Sequence, residues 1–583
     1  MPNYKKIHHS RARFLAGVIV VMMAIFIARL FYIQVIRHDH YLALADTEQT
    51  RQWVLPSVRG EIYVMNKGTP SKLVLNETVY TVWADPKVVE EPEKVMQVLK
   101  KVAGGNLLNS AEASLKKTKT RYQVLAKKIT HKQAQLIKKQ KLLGIGFERG
   151  ERRVYPEGEL ASQVLGFVND EGKGQYGVEG GLNAQLSGKD GLIKTVTDVR
   201  DVPLTIGNEN INIPAQDGKN IVLSLDRGIQ ARAEESLKRG IKKIGAQKGS
   251  LVVMNPKNGQ VLAMANYPSY DPTNVNQLKD ISLLNNQTIS APYEAGSVIK
   301  TFTVATGIDR GVITPQSTFV NTDRVRIGDY VIGNATSTYK GTRSMQFALD
   351  KSLNTGMVTV AKRLGGGSIN NSRNIIYSYF TNKFHLGRLT GIELAGESPG
   401  TIISPNNPEG NAIRYANMTF GQGMDVTMLQ VSAGFCSLVN GGIYHKPTIV
   451  AGEINQFGDY VPADRTNSSR VLSEVSANTV RDMVHRAHYA TYQTNKIENS
   501  RYYLGGKTGT SQTIDKKTGK YTSEQTTGNY LGFGGEKYKT PEYVIMVQVS
   551  GKGMNLTGGA HAKPIFNDLS NKLNRYLKLK PKG

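Results

Sequence analysis

The 583-residue sequence predicts an α+β protein. Apolar strand-like segments lie at both ends of the region that follows about residue 216, and helix-like segments lie between them. This order along the chain is typical of an antiparallel sheet packed against helices. The apolar fraction of 39% is sufficient for at least one large core. We therefore expect one sheet, completed by the C-terminus, beside a helical lobe.

The N-terminal segment has the composition of a membrane anchor. Residues 14–36 are mostly apolar and have the length of a transmembrane helix, which needs about 20 residues. Several cations precede this segment: Lys5, Lys6, Arg11 and Arg13. The positive-inside rule then predicts that residues 1–13 are cytoplasmic and that everything after about residue 37 is outside the cell. A cleaved signal peptide is the alternative, because Ala43-Leu-Ala45 resembles a cleavage site. A charged, bulky segment separates that site from the apolar run, which favours an uncleaved anchor.

Residues 37–215 are mixed, basic and rich in turns, and we expect them to form a solvated accessory domain. Residues 72–75 and 79–83 have strand-like composition. A lysine-rich stretch, residues 87–140, carries leucines and valines at helical spacing. None of the glycine-bearing segments that follow has the strand and helix context of a phosphate-binding loop.

From residue 216 to 583 we expect the second, larger domain, which contains the sheet. Residues 220–226 are predicted to form a strand, and apolar residues at intervals of four then mark an amphipathic helix. Two apolar strands, residues 250–255 and 260–265, are joined by a turn and form a predicted hairpin. The C-terminal elements are predicted to be strands at 529–533 and 543–549 and a helix at 562–577.

Charge and composition exclude several functions. The net charge of +27 and the pI near 9.7 indicate anionic surroundings. The sequence has no nucleic-acid-binding motif, so nucleic acid is not the expected partner. The single cysteine, Cys436, rules out an intramolecular disulfide and a four-cysteine zinc site. The ten histidines are scattered. We expect neither a metal nor a cofactor.

Ser297 and Lys300 are the first candidate catalytic residues. Apolar residues at helical spacing predict a buried helix from about 297 to 309, with Ser297 at its start. Residues i and i+3 share a helix face, so a neutral Lys300 amine can take the proton of the Ser297 hydroxyl. The pair could therefore act as a nucleophile and its general base.

Two later segments supply the other groups that a serine needs to attack an amide. Ser352 and Asn354 lie between two helix-like runs, where one turn would present both side chains. Gly505, Gly506 and Gly509, beside an edge strand, would let the backbone of a ligand approach closely. The segment Lys507-Thr508-Gly509-Thr510 offers a cation and hydroxyl groups suited to a carboxylate. Each motif recurs elsewhere in less suitable surroundings. The recurrences begin at Ser114 and Ser337 for Ser-x-x-Lys, at Ser368, Ser404 and Ser476 for Ser-x-Asn, and at Lys517 for Lys-Thr-Gly.

The three motifs, in this order along the chain, resemble those of the penicillin-binding proteins and the serine β-lactamases. Residues 419–423, Thr-Phe-Gly-Gln-Gly, are similar to a signature of class B penicillin-binding proteins. The segments at Arg59, Tyr155 and Gly177 are similar to the membrane-proximal pedestal domain of that class. The resemblance implies the penicillin-binding transpeptidase fold, with residues 37–215 as a pedestal, or dimerisation-like, domain.

The resemblance further implies a D,D-transpeptidase that cross-links peptidoglycan stem peptides through an acyl-enzyme on Ser297. Lys300 would be the base and Ser352 would relay the proton. Asn354 and Lys507 would position the substrate. Thr508, Gly509 and Thr510 would line the substrate and oxyanion site, with the backbone N–H groups of Ser297 and Thr510 as the oxyanion donors. β-Lactams would acylate Ser297 as substrate mimics.

The family also implies a membrane glycan polymerase as partner. The motifs resemble the division-type members more closely, which implies a role in cell division. Elongation-type wall synthesis is the alternative role. A β-lactamase is a second alternative, because Glu179-Gly-Gly-Leu-Asn183 matches a deacylating motif of those enzymes. That motif precedes Ser297 here, whereas in β-lactamases it follows the Ser-x-Asn motif. A non-catalytic scaffold or antibiotic sensor is the third alternative, although all the reacting groups are present.

Overall fold

The computed structural model describes residues 5–41, 50–196, 211–464, 467–490, 502–514 and 521–581. The chain divides into two compact units. The first consists of residues 1–58 and 188–218, and the second of residues 59–187 and 219–583.

The described α-helices are numbered α1 to α17 in chain order. They are Lys5–Phe31, Pro92–Val102, Ala111–Leu115, His131–Lys138, Ser162–Leu165, Gly177–Gly181, Asn183–Leu186, Arg227–Ile244, Gln287–Ser290, Lys300–Asp309, Met345–Asp350, Asn354–Leu364, Ile369–Tyr377, Ala412–Met418, Met428–Val439, Glu474–Ala490 and Lys563–Tyr576.

The described strands are numbered β1 to β23 in the same way. They are Thr50–Leu55, Ile62–Asn66, Thr69–Ala84, Gln123–Thr130, Ile145–Val154, Phe167–Val168, Gly174–Gln175, Gly191–Val196, Ile211–Ile213, Asn220–Asp226, Lys248–Met254, Val261–Tyr267, Thr318–Asn321, Arg324–Ile327, Tyr330–Gly333, Gly341–Ser344, Ile443–His445, Val450–Ile454, Tyr460–Pro462, Ser468–Arg470, Tyr503–Ile514, Tyr521–Gly535 and Tyr543–Ser550.

The first unit contains the predicted anchor and a small sheet. Helix α1 continues into a π-helical turn at Tyr32–Ile36, and the helical segment Arg11–Ile36 is long and apolar enough to cross a membrane. The sheet has the antiparallel order β1-β8-β9. The cleavage-like residues 43–45 lie outside the described part of the chain.

The second unit is organised around a five-stranded antiparallel sheet of order β12-β11-β23-β22-β21. Side chains of successive residues in a strand point to opposite faces. Leu251 and Val253 of β11 pack towards α8 and α17. Val252 and Met254 instead join the core of the helical lobe. The predicted hairpin, amphipathic helix, C-terminal strands and final helix are all confirmed, so each face of this sheet is covered by helices.

A second sheet has the order β19-β18-β10-β2-β3-β4, and β5 also pairs with β3. Strand β10, predicted as residues 220–226, has those bounds in the structure. It pairs with β2 in parallel and with β18 in antiparallel orientation. One sheet therefore includes strands from both sides of residue 215, and a domain boundary at that residue stays a prediction.

The lysine-rich stretch folds as a small α/β lobe. The two strand segments predicted at 72–75 and 79–83 belong to one long strand, β3, which pairs with β4 and β5. Helices α2, α3 and α4 pack beside these strands around a separate hydrophobic core that includes Leu99, Leu115 and Leu125. The lobe thus has an interior of its own.

Candidate active site

Ser297 lies at the entrance of a buried helix, as the sequence predicts. The first turn, Gly296–Ile299, is a 3-10 turn and α10 continues from Lys300. Gly296 has a φ of +64°, and a Cβ at this position would lie 2.8 Å from the carbonyl oxygen of Thr510. Because an L side chain would be both strained and obstructed there, glycine lets the serine turn lie directly against the Lys507–Thr510 strand.

Ser297 faces a cavity of about 580 Å³. The cavity is bounded by the start of α10, the turn before α12, the hairpin β14–β15 and the edge strand β21. Its lining includes the predicted residues Ser297, Lys300, Ser352, Asn354, Thr508 and Thr510. The three motifs, far apart in the sequence, therefore meet at one surface.

Lys300 is completely buried and is surrounded by hydrogen-bond acceptors. Its Nζ lies 2.5 Å from the Ser352 carbonyl oxygen, 3.0 Å from the Ser352 Oγ and 2.7 Å from the Asn354 Oδ1. Burial, reinforced by the positive charge of Lys507, holds the pKa of Lys300 well below its ordinary value. A buried lysine with a lowered pKa is available as a neutral base.

Ser352 occupies the turn between α11 and α12 in the left-handed backbone region, with a φ of +56°. This conformation costs a non-glycine residue roughly 1–2 kcal/mol. Both the carbonyl oxygen and the hydroxyl group of Ser352 contact Lys300. We conclude that the strain is tolerated where it serves to bring two oxygen atoms to one buried amine.

Lys507 lies on β21, at the edge of the five-stranded sheet. Its Nζ is 3.0 Å from the Ser352 Oγ and 3.0 Å from the Thr508 carbonyl oxygen. Burial lowers the pKa of Lys507 to about 7, and the negative charge of Asp350 opposes that decrease. Lys507 can therefore switch between cation and neutral amine near neutral pH.

The glycines of the Lys507 strand serve packing more than ligand access. A Cβ at Gly506 would lie 2.4 Å from the Tyr530 hydroxyl oxygen, and one at Gly505 would lie 2.2 Å from the Phe533 ring. Gly509 instead lies against the serine turn, where a Cβ would be 2.9 Å from the Ala295 carbonyl oxygen. The sequence interpretation, that Gly505 and Gly506 admit a ligand, is therefore wrong, because aromatic side chains of β22 fill that space.

The segment 419–423 holds the serine turn from its other side. The Gly423 N–H donates to the Glu294 carboxylate at 2.6 Å, and the Gly296 N–H donates to the Gly421 carbonyl oxygen at 3.1 Å. The Thr303 hydroxyl, on α10, donates to the Thr419 carbonyl oxygen at 2.7 Å. These contacts explain why a glycine-rich signature so far from Ser297 belongs to the same site.

Several lining residues were not predicted: Asn334, Gln422, Gln512, Thr526 and Asn555. Gln512 could have been found, since side chains two apart on a strand share a face and Thr508, Thr510 and Gln512 are so spaced. Asn334 carries no such signal. Its amide joins Asn321, Asp323 and Thr355 in a network that only the tertiary fold assembles.

The competing motif copies do not line this cavity in the described part of the chain. Ser114 is on the short helix α3, and Ser337 follows β15 outside any helix. The second Lys-Thr-Gly, at Lys517, lies outside the described residues. Glu179 is fully buried and bonded to Arg59 and Arg153, at 2.6 Å and 2.7 Å. That carboxylate is engaged within the accessory region, which agrees with its interpretation as part of the pedestal.

Comparison with known proteins identifies the family. Residues 249–571 match the model of the penicillin-binding protein transpeptidase domain, and residues 54–223 match that of the penicillin-binding protein dimerisation domain. The chain is 27% identical to the penicillin-binding protein PbpB of Mycobacterium tuberculosis, over 95% of this chain and 83% of the relative. It is 28% identical to the peptidoglycan D,D-transpeptidase FtsI of Escherichia coli, over 98% and 92%.

The fold agrees with this assignment. A crystal structure of penicillin-binding protein 3 from M. tuberculosis, complexed with aztreonam, superposes with a TM-score of 0.67 at 23% identity, covering 91% of this chain and 98% of that one. The chain belongs to the penicillin-binding protein transpeptidase family. The predicted fold class and the enzyme class, a serine D,D-transpeptidase, are therefore confirmed.

Proposed function

We propose that this protein is a membrane-anchored class B transpeptidase of the division type, which cross-links peptidoglycan stem peptides through an acyl-enzyme on Ser297. The observation that carries the proposal is the convergence of two buried lysines on one hydroxyl group beside the candidate nucleophile. Lys300 and Lys507 both contact the Ser352 Oγ, and Ser297 lines the same cavity.

Acylation begins when the Ser297 Oγ attacks the carbonyl carbon of the penultimate D-alanine. The neutral Lys300 amine takes the proton of the Ser297 hydroxyl group. The Ser352 hydroxyl, hydrogen-bonded to both lysines, then passes a proton to the leaving amine. The C–N bond breaks, D-alanine departs with that proton, and an ester to Ser297 remains.

Other side chains hold the donor peptide. Lys507 in its cationic form, with the hydroxyl groups of Thr508 and Thr510, is placed to bind the terminal carboxylate of the peptide. Asn354 Nδ2 already donates to the Gly333 carbonyl oxygen at 2.8 Å, which fixes the amide beside the cavity for the substrate backbone. The backbone N–H groups of Ser297 and Thr510 serve as the oxyanion donors, and loss of one such donor typically costs about 100-fold or more in rate.

The second half-reaction uses the same groups in reverse. An amine of a neighbouring stem peptide attacks the ester carbonyl and gives up a proton through Ser352 and Lys300. The ester bond to Ser297 breaks, an amide cross-link forms, and the Ser297 hydroxyl regains its proton. A β-lactam acylates Ser297 in the same manner, but its ring-opened product keeps the leaving amine attached and blocks the acceptor.

The proposed location follows from the apolar helix Arg11–Ile36 and the cations before it. The positive flank remains in the cytoplasm and the transpeptidase domain faces the envelope, where its substrate is. Residues 1–13 and the anchor are proposed to contact a membrane glycan polymerase. Recovery of the full-length protein from membranes without any polymerase, after mild solubilisation, would count against that partner.

The transpeptidase activity is tested by supplying a synthetic stem pentapeptide and a second peptide with a free side-chain amine. Wild-type protein should release one D-alanine for each cross-linked product, and the Ser297→Ala variant should do neither. Release of D-alanine without any cross-link would identify a carboxypeptidase instead. Binding of the peptide without turnover by the wild type would support the scaffold alternative.

The division role is tested in cells. Depletion of a division-type enzyme should give filaments with unclosed septa. A Ser297→Ala copy should fail to restore normal division. Rounded or swollen cells with normal septa would assign the protein to elongation instead. The two outcomes distinguish the alternatives without any assumption about the acceptor peptide.

A further inference from the structure

The α/β lobe of the accessory region carries a large share of the net charge. Between residues 94 and 141 the sequence has thirteen Lys or Arg residues and a single acidic residue, Glu112. This segment of 48 residues therefore has a net charge of +12, against +27 for the whole chain. We call its thirteen cations the basic surface of the lobe. They are Lys94, Lys100, Lys101, Lys116, Lys117, Lys119, Arg121, Lys127, Lys128, Lys132, Lys138, Lys139 and Lys141.

All thirteen residues of the basic surface are exposed. Three of them have a carboxylate within 4 Å, in the pairs Lys94–Glu91, Arg121–Asp85 and Lys128–Asp170. The other ten have no such carboxylate among the residues that the structure describes. These like charges are close together and few of them are paired with a carboxylate. They therefore repel one another, and the repulsion lowers the stability of the isolated lobe.

The folding of the lobe does not require this concentration of positive charge. The interior of the lobe is built from apolar side chains, among them Val82, Leu99, Leu125 and Ile137, and none of the thirteen cations belongs to it. Uncharged polar residues at the same positions would leave that interior unchanged and remove the repulsion. The excess charge thus points to something outside the chain that neutralises it.

The cations of the basic surface are spread over several elements of the lobe. Lys94 and Lys101 lie seven residues apart on α2, and therefore on one side of that helix. Lys138, at the end of α4, lies 5.4 Å and 5.0 Å from the ring centres of Tyr80 and Phe147, on the sheet strands β3 and β5. Lys116, Lys117 and Lys119 follow α3 in a separate loop. A flexible chain can adapt its path to cations on separate elements, whereas a flat membrane contacts only those cations that lie in one plane.

We propose that the basic surface binds a flexible anionic polymer with repeated phosphate or carboxylate groups. The polymer would neutralise the lysines as a series of point contacts and release its counterions, as in other polyelectrolyte complexes. In the proposed extracytoplasmic location, an anionic polymer of the envelope has this chemistry. The binding would keep the enzyme near the wall without occupying the cavity at Ser297.

The test uses the full-length protein in detergent micelles, with immobilised long-chain inorganic polyphosphate or polyglutamate as the probe. One variant combines Lys116→Gln, Lys117→Gln and Lys119→Gln. The control combines Lys238→Gln, Lys242→Gln and Lys243→Gln on the exposed side of α8, far from the lobe in sequence and equal in charge change. Affinity is measured over a range of salt concentrations, and acylation by benzylpenicillin is measured beside it to show that both lysine variants are folded.

We expect wild-type protein to bind at least one polymer at physiological salt, with an affinity that falls steeply as salt rises. The lobe variant should bind about tenfold more weakly, with a log–log salt dependence reduced by about 0.7 for each lost contact. The control should stay within about twofold of wild type. Equal losses in the two variants, no binding of either polymer, or binding to anionic phosphatidylglycerol vesicles but not to the polymers would each overturn the proposal. Ser297→Ala should bind like wild type, so failure of the proposed catalysis would leave this result intact.

Discussion

Lys300 and Lys507 contact the same hydroxyl group, each with its Nζ 3.0 Å from the Ser352 Oγ. Two positive charges so close in a buried site repel each other, so they do not both remain protonated at neutral pH. Lys300 is completely buried, and the positive charge of Lys507 lowers its pKa further. The negative charge of Asp350, by contrast, raises the pKa of Lys507 and so favours its protonated form. We therefore propose that Lys300 acts as the neutral base and that Lys507 acts as the substrate-binding cation.

Replacing Lys300 by methionine should slow acylation strongly while keeping most of the side-chain volume. A positioned base typically contributes about 10²–10⁴-fold to a rate, and we expect a loss in that range in the second-order rate constant with benzylpenicillin. Lys257→Met, which removes a surface cation paired with Glu542, is the matched control and should acylate normally. A Lys300→Met protein that acylates within threefold of wild type would show that another group takes the proton.

Two substitutions at Ser352 should separate its hydroxyl group from its backbone conformation. Ser352→Ala and Ser352→Gly both remove the proton relay, so both should slow acylation to a similar extent. Glycine accepts the φ of +56° without strain, whereas alanine does not. We therefore expect the glycine variant to be more stable than the alanine variant by about 1 kcal/mol, measured by denaturant unfolding. Equal stabilities would mean that the turn relaxes when the hydroxyl group is absent.

The pH dependence of the reaction should report the charge of Lys507. With a pKa of about 7, the Lys507 cation is present below that pH and is lost as the pH rises through it. For a donor peptide with a free terminal carboxylate, kcat/KM should therefore fall on the alkaline side of neutrality. A donor amidated at its C-terminus does not need the cation, and its profile should lack that fall.

Asp350→Asn should move the same alkaline fall to lower pH. The carboxylate of Asp350 raises the pKa of Lys507, and an asparagine in its place keeps an oxygen that can accept the 2.7 Å hydrogen bond from Gln346 Nε2. The variant should thus lose activity towards the carboxylate donor at pH values where wild type retains it. An unchanged profile would show that Asp350 does not act on Lys507 through its charge.

Gly506→Ala should disturb the site from behind the Lys507 strand. The added methyl group would lie 2.4 Å from the Tyr530 hydroxyl oxygen, so the ring or the strand has to shift. Overpacking of this kind typically costs about 1–3 kcal/mol. Gly105→Ala, where no atom lies within 4 Å of the new methyl group, is the control and should unfold like wild type. Wild-type stability of the Gly506→Ala protein would contradict the packing argument.

The sequence predicts the elements around the site because each follows a local rule. The four-residue spacing of Ile229, Ala233, Leu237 and Ile241 predicts α8, and all four side chains are buried. The apolar segments 250–255 and 260–265 likewise predict β11 and β12. Hydrophobic periodicity indicates which face of an element packs against the core. Such elements can therefore be predicted without knowledge of their neighbours in the fold.

Other features depend on contacts that no local pattern records. The left-handed backbone of Ser352 is sustained by Lys300, which is 52 residues away in the sequence. Asn334 reaches the site through a network with Asn321 and Thr355. The sequence predicts ligand access at Gly505 and Gly506, but aromatic rings on the next strand fill the space beside them. In each case the partner is set by tertiary packing.

The most direct test of the account is the intact mass of the full-length protein after incubation with benzylpenicillin, followed by peptide mapping. The account predicts a stable increase equal to one antibiotic molecule, located on Ser297 and absent from the Ser297→Ala variant. An adduct on another residue, or one that persists in Ser297→Ala, would contradict the assignment of the nucleophile. Rapid turnover of the antibiotic with no stable adduct would instead identify a hydrolase.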